Sequence, residues 1–321
     1  MIRFSATHNW FRSLLCLMLA SGSIAMQAQV QAGATLPAGV PAGFEATPMG
    51  YFHPSCVKEV AKDDVIRPDD LAIEHQDGSF DSIPSCAYPH YTARGEKVPT
   101  EPRGDDPPFI GHDWIEAVQD VTSSSYGEIT TEFKVPPAPA SHDGQTIYLF
   151  PGMQDINDTK TILQPVLGWN HHYSNAWEIA SWNCCTSGTV FVSPYEHTAT
   201  GHVIYGKVKN QCSAGTLECH KWTVYTKDES TGIWTEIFNE SNFGQTFNWV
   251  FSNVLEVYNV KRCSDYPEGG KLEAYDVNVY NDKFQKITPS WSLWKVWQED
   301  GDSPVCGYGA SWTSSEATIK Y

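Results

Sequence analysis

From His112 onward the chain is written in short runs rich in Val, Ile, Thr, Tyr, Phe and Trp: Tyr126–Val135, Thr146–Phe150, Thr189–Val192, His202–Val208, Lys221–Thr226, Ile233–Phe238 and Leu272–Tyr280. Branched and aromatic side chains of this kind fit a pleated, half-buried surface. Pro136-Pro137-Ala138-Pro139, Asp143-Gly144, Thr231-Gly232 and Glu268-Gly269-Gly270 break the runs where turns need fixed or left-handed backbone. No long helical period, internal repeat or low-complexity tract competes with this pattern. The expectation is an all-β fold, a two-sheet antiparallel β-sandwich of the jelly-roll or concanavalin-like kind.

The chain ahead of that region reads differently. Arg3 and Arg12 precede the apolar Leu14-Leu15-Cys16-Leu17-Met18-Leu19-Ala20, and small residues lead to Val30-Gln31-Ala32. That order is a secretory signal peptide over residues 1–32, cut near Ala32 or Ala28, and its apolar core is too short to span a bilayer. A secreted, extracellular protein is expected. Residues 33–108 are rich in Pro, Gly and Asp and form an N-terminal extension. Within it 50–93 reads as a small unit tied by cysteines, and Pro99 to Pro108 reads as a linker. A pro-segment junction and an ordinary tether fit that linker equally. Residues 109–321 are the sandwich domain.

Without Cys16 the nine cysteines become eight, an even number in an exported chain, which implies disulfides rather than zinc. Cys56–Cys86, Cys212–Cys219 and Cys263–Cys306 are the expected pairs. The adjacent Cys184 and Cys185 either pair with each other or bond elsewhere. With 38 acidic against 21 basic residues, the chain is a poor partner for nucleic acid or anionic membranes, both of which require cationic neutralisation. A monomer is expected, and neither metal nor cofactor. The doublet His171-His172 does not make a metal site, because neighbours on a strand point to opposite faces.

Two strand-like segments carry a long polar side chain on an apolar run: Thr161-Ile162-Leu163-Gln164 and Val254-Leu255-Glu256-Val257. Buried polar groups cost free energy unless paired, so these positions invite a chemical reading. By alternation, Glu256 shares a face with Ser252, Val254 and Tyr258, and Gln164 shares one with Ile162 and Val166. Pro165 lacks an N–H for a ladder and suggests an edge, bulge or strand end.

From Asp113 to the C-terminus the chain resembles glutamic peptidases of the eqolisin type. Asp113-Trp114-Ile115-Glu116-Ala117-Val118 is similar to the family's Asn-Trp-x-Gly-Ala-Val opening, and Tyr126 to Pro136 is similar to the strand that follows it. The segment Asp155 to Gln164 stands where the catalytic Gln is reached, Ala176 to Trp182 where an Ala-Trp-x-Glu-Trp-like stretch lies, and Leu255-Glu256-Val257 where the catalytic Glu is expected. The resemblance implies that Glu256 serves as general base and then acid, with Gln164 orienting the water and stabilising the oxyanion. Phe150, Gln154, Trp177 and Trp182 would bind a polypeptide substrate. The family's Trp-x-Gly-x-Asp is here Phe150-Pro151-Gly152-Met153-Gln154, and the opening Gly is Glu116. Neprosin-type peptidases, a related group, use two glutamates where this chain has Gln164 and Glu256.

A different class of reading comes from the tryptophans. Exposed on a sandwich, Trp169, Trp177, Trp182, Trp291, Trp294 and Trp297 would stack on sugar rings and make a non-catalytic module binding glycans or extended polymers. No Gly-x-Ser-x-Gly, His-Glu-x-x-His or phosphate-cradling loop occurs. Asn157-Asp158-Thr159 and Asn239-Glu240-Ser241 are glycosylation sequons.

Overall fold

Nearly every expected run becomes a strand, often longer than its composition indicated. In the computed structural model Tyr126–Lys134, Thr146–Gln154, Val203–Asn210, Lys221–Asp228, Trp234–Glu240 and Lys271–Asn281 are all extended. The structure describes residues 36–67, 71–98, 114–157, 161–171, 174–184, 188–240, 246–295 and 306–321. These all fall within one compact unit, Ala32–Tyr321. The signal segment, the Pro99–Pro108 linker, Cys185, His172 and Trp297 lie outside the described residues.

Among the described residues the strands form sheets of nine, eleven and four. The nine-stranded sheet places Trp114–Val121, Trp249–Tyr258, Thr146–Gln154, Ile162–Trp169 and Trp177–Cys184 side by side, all antiparallel. The eleven-stranded sheet packs against its inner face around Leu149, Leu163, Leu167, Ile129, Val208 and Val224. These two layers are the sandwich.

The N-terminal extension is built into this architecture. Val57–Glu59 pairs in parallel with Val190–Val192 at the edge of one large sheet, and Val65–Arg67 pairs in parallel with Trp234–Glu240 in the other. Glu45–Thr47, Gly50–Phe52, His90–Tyr91 and Lys97–Val98 make the separate four-stranded sheet. That small sheet covers the outer face of the nine-stranded one. Phe44, Met49, Tyr51 and Phe52 are buried there together with Trp114, Phe150, Trp182 and Val254.

Two prolines in mid-sheet correct the expectation for Pro165. It lies inside Ile162–Trp169, between two neighbouring strands, rather than at an edge. Pairing with Thr146–Gln154 stops at Leu149↔Leu167 and resumes in the same register at Met153↔Leu163. Pro151 and Pro165 face each other across that gap, so the two missing N–H groups coincide. Both rings turn inward onto Gly206, where a Cβ would lie 3.0 and 3.1 Å from their Cγ atoms. A larger residue at Gly206 would push the sheets apart.

The disulfides Cys56–Cys86, Cys212–Cys219 and Cys263–Cys306 form as expected. Cys184 is also disulfide-bonded.

Candidate functional site

Alternation places Gln164 and Glu256 on one face of the nine-stranded sheet, the outer face beneath the four-stranded one. Both side chains are fully buried. The face is set row by row through the register. Glu256 stands beside Tyr148, which stands beside Gly168, which stands beside Glu178. Phe150 and Val254 form the next row with Val166 and Ala180, and Gln164 falls in the row of Gly152, Phe251 and Trp182.

A β-bulge decides part of this arrangement. Phe150 pairs with Val254 but Gly152 pairs with Phe251, so the Glu256 strand carries one extra residue there. Simple alternation puts Ser252 on the Glu256 face. The bulge removes it, and Ser252 Oγ donates to the Val118 carbonyl. Phe251 and Trp249 take its place on the face, because one inserted residue inverts every position beyond it. Gly152 is demanded by closeness: a Cβ would come 2.7 Å from the Leu163 carbonyl oxygen and 3.6 Å from Gln164 Cγ.

Glu256 is held by donors that the sequence did not single out for the role. Trp114 Nε1 donates to Oε2 at 3.1 Å, and the Tyr258 hydroxyl donates to Oε1. Tyr258 in turn accepts from the Gly50 amide at 2.6 Å. The signal was available, since Trp114 is part of the family-like opening motif and Tyr258 lies two residues along the same face. Gln164 Nε2 donates to the Pro48 carbonyl at 3.3 Å. Its Oε1 is buried with no partner among the described residues.

Gln164 and Glu256 lie two strands apart and four residues apart along the strand direction. At the usual strand rise and spacing their Cα atoms are on the order of 16 Å apart. In this state each is turned to its own partners, Gln164 to the Pro48 carbonyl and Glu256 to Trp114 and Tyr258. Pro48-Met49-Gly50 spans the interval instead, with a carbonyl on the Gln164 amide and an N–H on the Tyr258–Glu256 pair.

The other sequence-predicted residues divide by face. Phe150, Gln154 and Trp182 lie on the Gln164 side and are buried. Trp182 sits directly opposite Gln164, and Gln154 lies at the far end beside Trp249. Trp177 points the other way, into the inter-sheet core, with its ring edge-on to Trp169 at 5.3 Å. It cannot line this face, because its neighbour Glu178 takes the outward position. Trp169, Trp182 and Trp291 are likewise buried, which removes most of the exposed tryptophan surface expected for sugar stacking.

Beyond Tyr148 a small cavity is lined by Gly168, His171, Glu178, Trp182 and Tyr195. His171 shares a 2.8 Å hydrogen bond between Nδ1 and the Tyr148 hydroxyl, and stacks on Tyr195 at 4.1 Å. Burial pushes the Glu178 carboxyl up, against the opposing pull of His197. Among the described residues no group of three or more His, Cys, Asp or Glu side chains is arranged to hold a metal ion.

No family model and no curated protein matches the chain. Several solved structures are similar. One is scytalidoglutamic peptidase with a peptide-based transition-state analogue, at TM-score 0.48 and 12% identity over 65% of this chain and 98% of that one. A second is SCP-B, a member of the eqolisin family in complex with the tripeptide Ala-Ile-His, at TM-score 0.47 and 13% identity over the same shares. A third is aspergilloglutamic peptidase from Aspergillus niger, at TM-score 0.40 and 12% identity over 55% of this chain and 98% of that one. The chain is thus similar, at low identity and over about two thirds of its length, to glutamic peptidases of the eqolisin kind.

Proposed function

We propose that the chain is a secreted, acid-acting endopeptidase of the glutamic type, with Glu256 and Gln164 as its catalytic residues and a polypeptide as substrate. The observation that carries this reading is the Gln164 amide. Its Nε2 donates to a peptide carbonyl, that of Pro48, and its Oε1 is buried and open to a further donor. An oxyanion donor needs that geometry toward the carbonyl, and a water held by Oε1 would stand next to the same carbon. Glu256 supplies the proton chemistry. As carboxylate it takes a proton from the water that adds to the carbonyl carbon. As carboxylic acid it returns that proton to the leaving amine when the C–N bond breaks. A group that must be base and then acid works best near its own pKa, and an optimum in acid is part of this proposal. A shared water requires both side chains to turn toward each other across the Pro48–Gly50 span, in a state where the Pro48 carbonyl and the Gly50 amide have left Gln164 and Tyr258.

Hydrolysis of an unfolded protein across the acid range tests the proposal. Glu256→Gln is expected to lower kcat/KM by about 10²–10⁴-fold with the fold retained, and Gln164→Ala by about 10²–10³-fold. Undiminished cleavage by Glu256→Gln would remove Glu256 from the mechanism.

A further inference from the structure

We infer that the Tyr148 hydroxyl, positioned by His171, is a further substrate-binding group of this site. It takes the main-chain carbonyl two residues N-terminal to the one that Gln164 takes. This rests on the peptidase reading of Gln164 and Glu256.

The pair is assembled around Gly168. A Cβ there would come 3.3 Å from Cδ1 and Cε1 of Tyr148, so the tyrosine ring lies over that glycine and carries its hydroxyl across the Ile162–Trp169 strand. Just past the strand end Asn170 sits at φ 59°, a left-handed conformation that Asn adopts more readily than most residues. Its side-chain amide donates to the Gln145 carbonyl at 2.8 Å and fixes the turn. His171 is thereby set beside the hydroxyl, its ring held by stacking on Tyr195 at 4.1 Å and by an edge contact with Trp182 at 5.6 Å. Proton counting gives the pair a direction. A phenol has one proton to donate, and Tyr148 places it on the Ala46 carbonyl at 2.7 Å. The 2.8 Å contact with His171 Nδ1 therefore has the proton on Nδ1, which donates to Oη. A hydroxyl that accepts one bond donates the next more strongly. The neutral Nδ1–H imidazole and the imidazolium both carry that proton, so the direction does not depend on the charge of His171.

Spacing ties the pair to Gln164. Tyr148 holds the carbonyl of Ala46 and Gln164 that of Pro48, residues i and i+2 of the hairpin made by Glu45–Thr47 and Gly50–Phe52. Trp182 lies between the two donors, opposite Gln164 in register and edge-on to Tyr148 at 6.3 Å. In an extended peptide the carbonyls of residues i and i+2 face the same way, so one substrate chain meets both donors through its backbone, whatever its side chains. With Gln164 on the carbonyl of the bond to be cut, Tyr148 takes the one two residues earlier. The site then favours chains that continue at least two residues ahead of the attacked carbonyl, the interior of a polypeptide rather than its first residues.

The test uses the full chain and two peptides. One is a blocked peptide that the unaltered protein cuts at a single bond, found by mass spectrometry in the hydrolysate of an unfolded protein. Its twin has a trans alkene in place of the peptide bond that carries the carbonyl two residues earlier. Tyr148→Phe is expected to lower kcat/KM about tenfold on the first peptide and less than twofold on the twin. Equal losses on both mark a structural role for Tyr148 and overturn the proposal. His171→Ala is expected to follow Tyr148→Phe, while His171→Asn, whose side-chain N–H stands where the Nδ1–H was, keeps kcat/KM within threefold. Equal behaviour of the Ala and Asn variants removes His171 from the role. Should Tyr148→Phe fail to fold, the two His171 variants read the same contrast on the same peptides. The peptidase reading fails separately. Hydrolysis that survives Glu256→Gln, or no hydrolysis at all, rejects that reading and this inference with it. Hydrolysis abolished by Glu256→Gln, with equal losses on the two peptides, rejects this inference alone.

Discussion

Replacing Glu45 by Gln is expected to change how stability varies with pH, because the small sheet carries two ionisable groups of opposite habit. Glu45 begins the hairpin, and burial carries its carboxyl from 4.5 to about 7. His90 lies on the strand beside Gly50–Phe52 with its ring stacked on Phe52 at 4.6 Å, and burial brings its imidazole from 6.5 down to about 4. Desolvation favours the neutral form in both. The Glu45 contribution is complete below pH 4.5 and is lost as pH rises through 7. The His90 contribution is complete above pH 6.5 and is lost as pH falls through 4. Each is on the order of 3 kcal/mol at the far end of its window.

Between pH 4.5 and 6.5 the folded pair holds one proton on Glu45 and the unfolded pair holds one on His90. The proton counts match, so the two slopes cancel in the unaltered protein. Glu45→Gln leaves the His90 dependence alone, and that variant should lose about 3 kcal/mol, relative to the unaltered chain, on going from pH 7 to 4.5. His90→Phe should show the opposite slope. Urea unfolding of the three proteins across this range measures the differences, and other titrating groups drop out of the comparison. Parallel pH curves for the unaltered protein and Glu45→Gln would refute the reasoning.

Gly152→Ala should destabilise by about 1–3 kcal/mol, since its Cβ meets a backbone carbonyl that cannot swing away; thermal unfolding reads the loss. Tyr258→Phe leaves the Gly50 amide without its 2.6 Å acceptor and should cost about 1–3 kcal/mol, with faster exchange of that amide as its local signature. Opening Cys56–Cys86 by a double Ser substitution frees a 30-residue separation and should cost about 2–4 kcal/mol, raising exchange in the hairpin before the sandwich strands.

Local chemistry was enough for the strands, the turns and the faces that Gln164 shares with Ile162 and Val166 and Glu256 with Val254 and Tyr258; that the two faces are one was set by register. Side-chain period and turn residues act over a few positions, and these features are local or nearly so. Trp177 was misplaced for the same kind of reason: a motif named it, while alternation gave its outward position to Glu178. The bulge after Phe251, the facing of Pro151 and Pro165, and the cover laid by residues 44–52 were not legible. Each depends on which distant segment lies alongside, and a strand's own sequence does not specify its neighbour's register. The residue types that make a polar pair on an apolar face were written in the chain. Whether that pair meets a water, a peptide or the chain's own N-terminal hairpin was decided only when the hairpin's backbone found unsatisfied polar groups on that face.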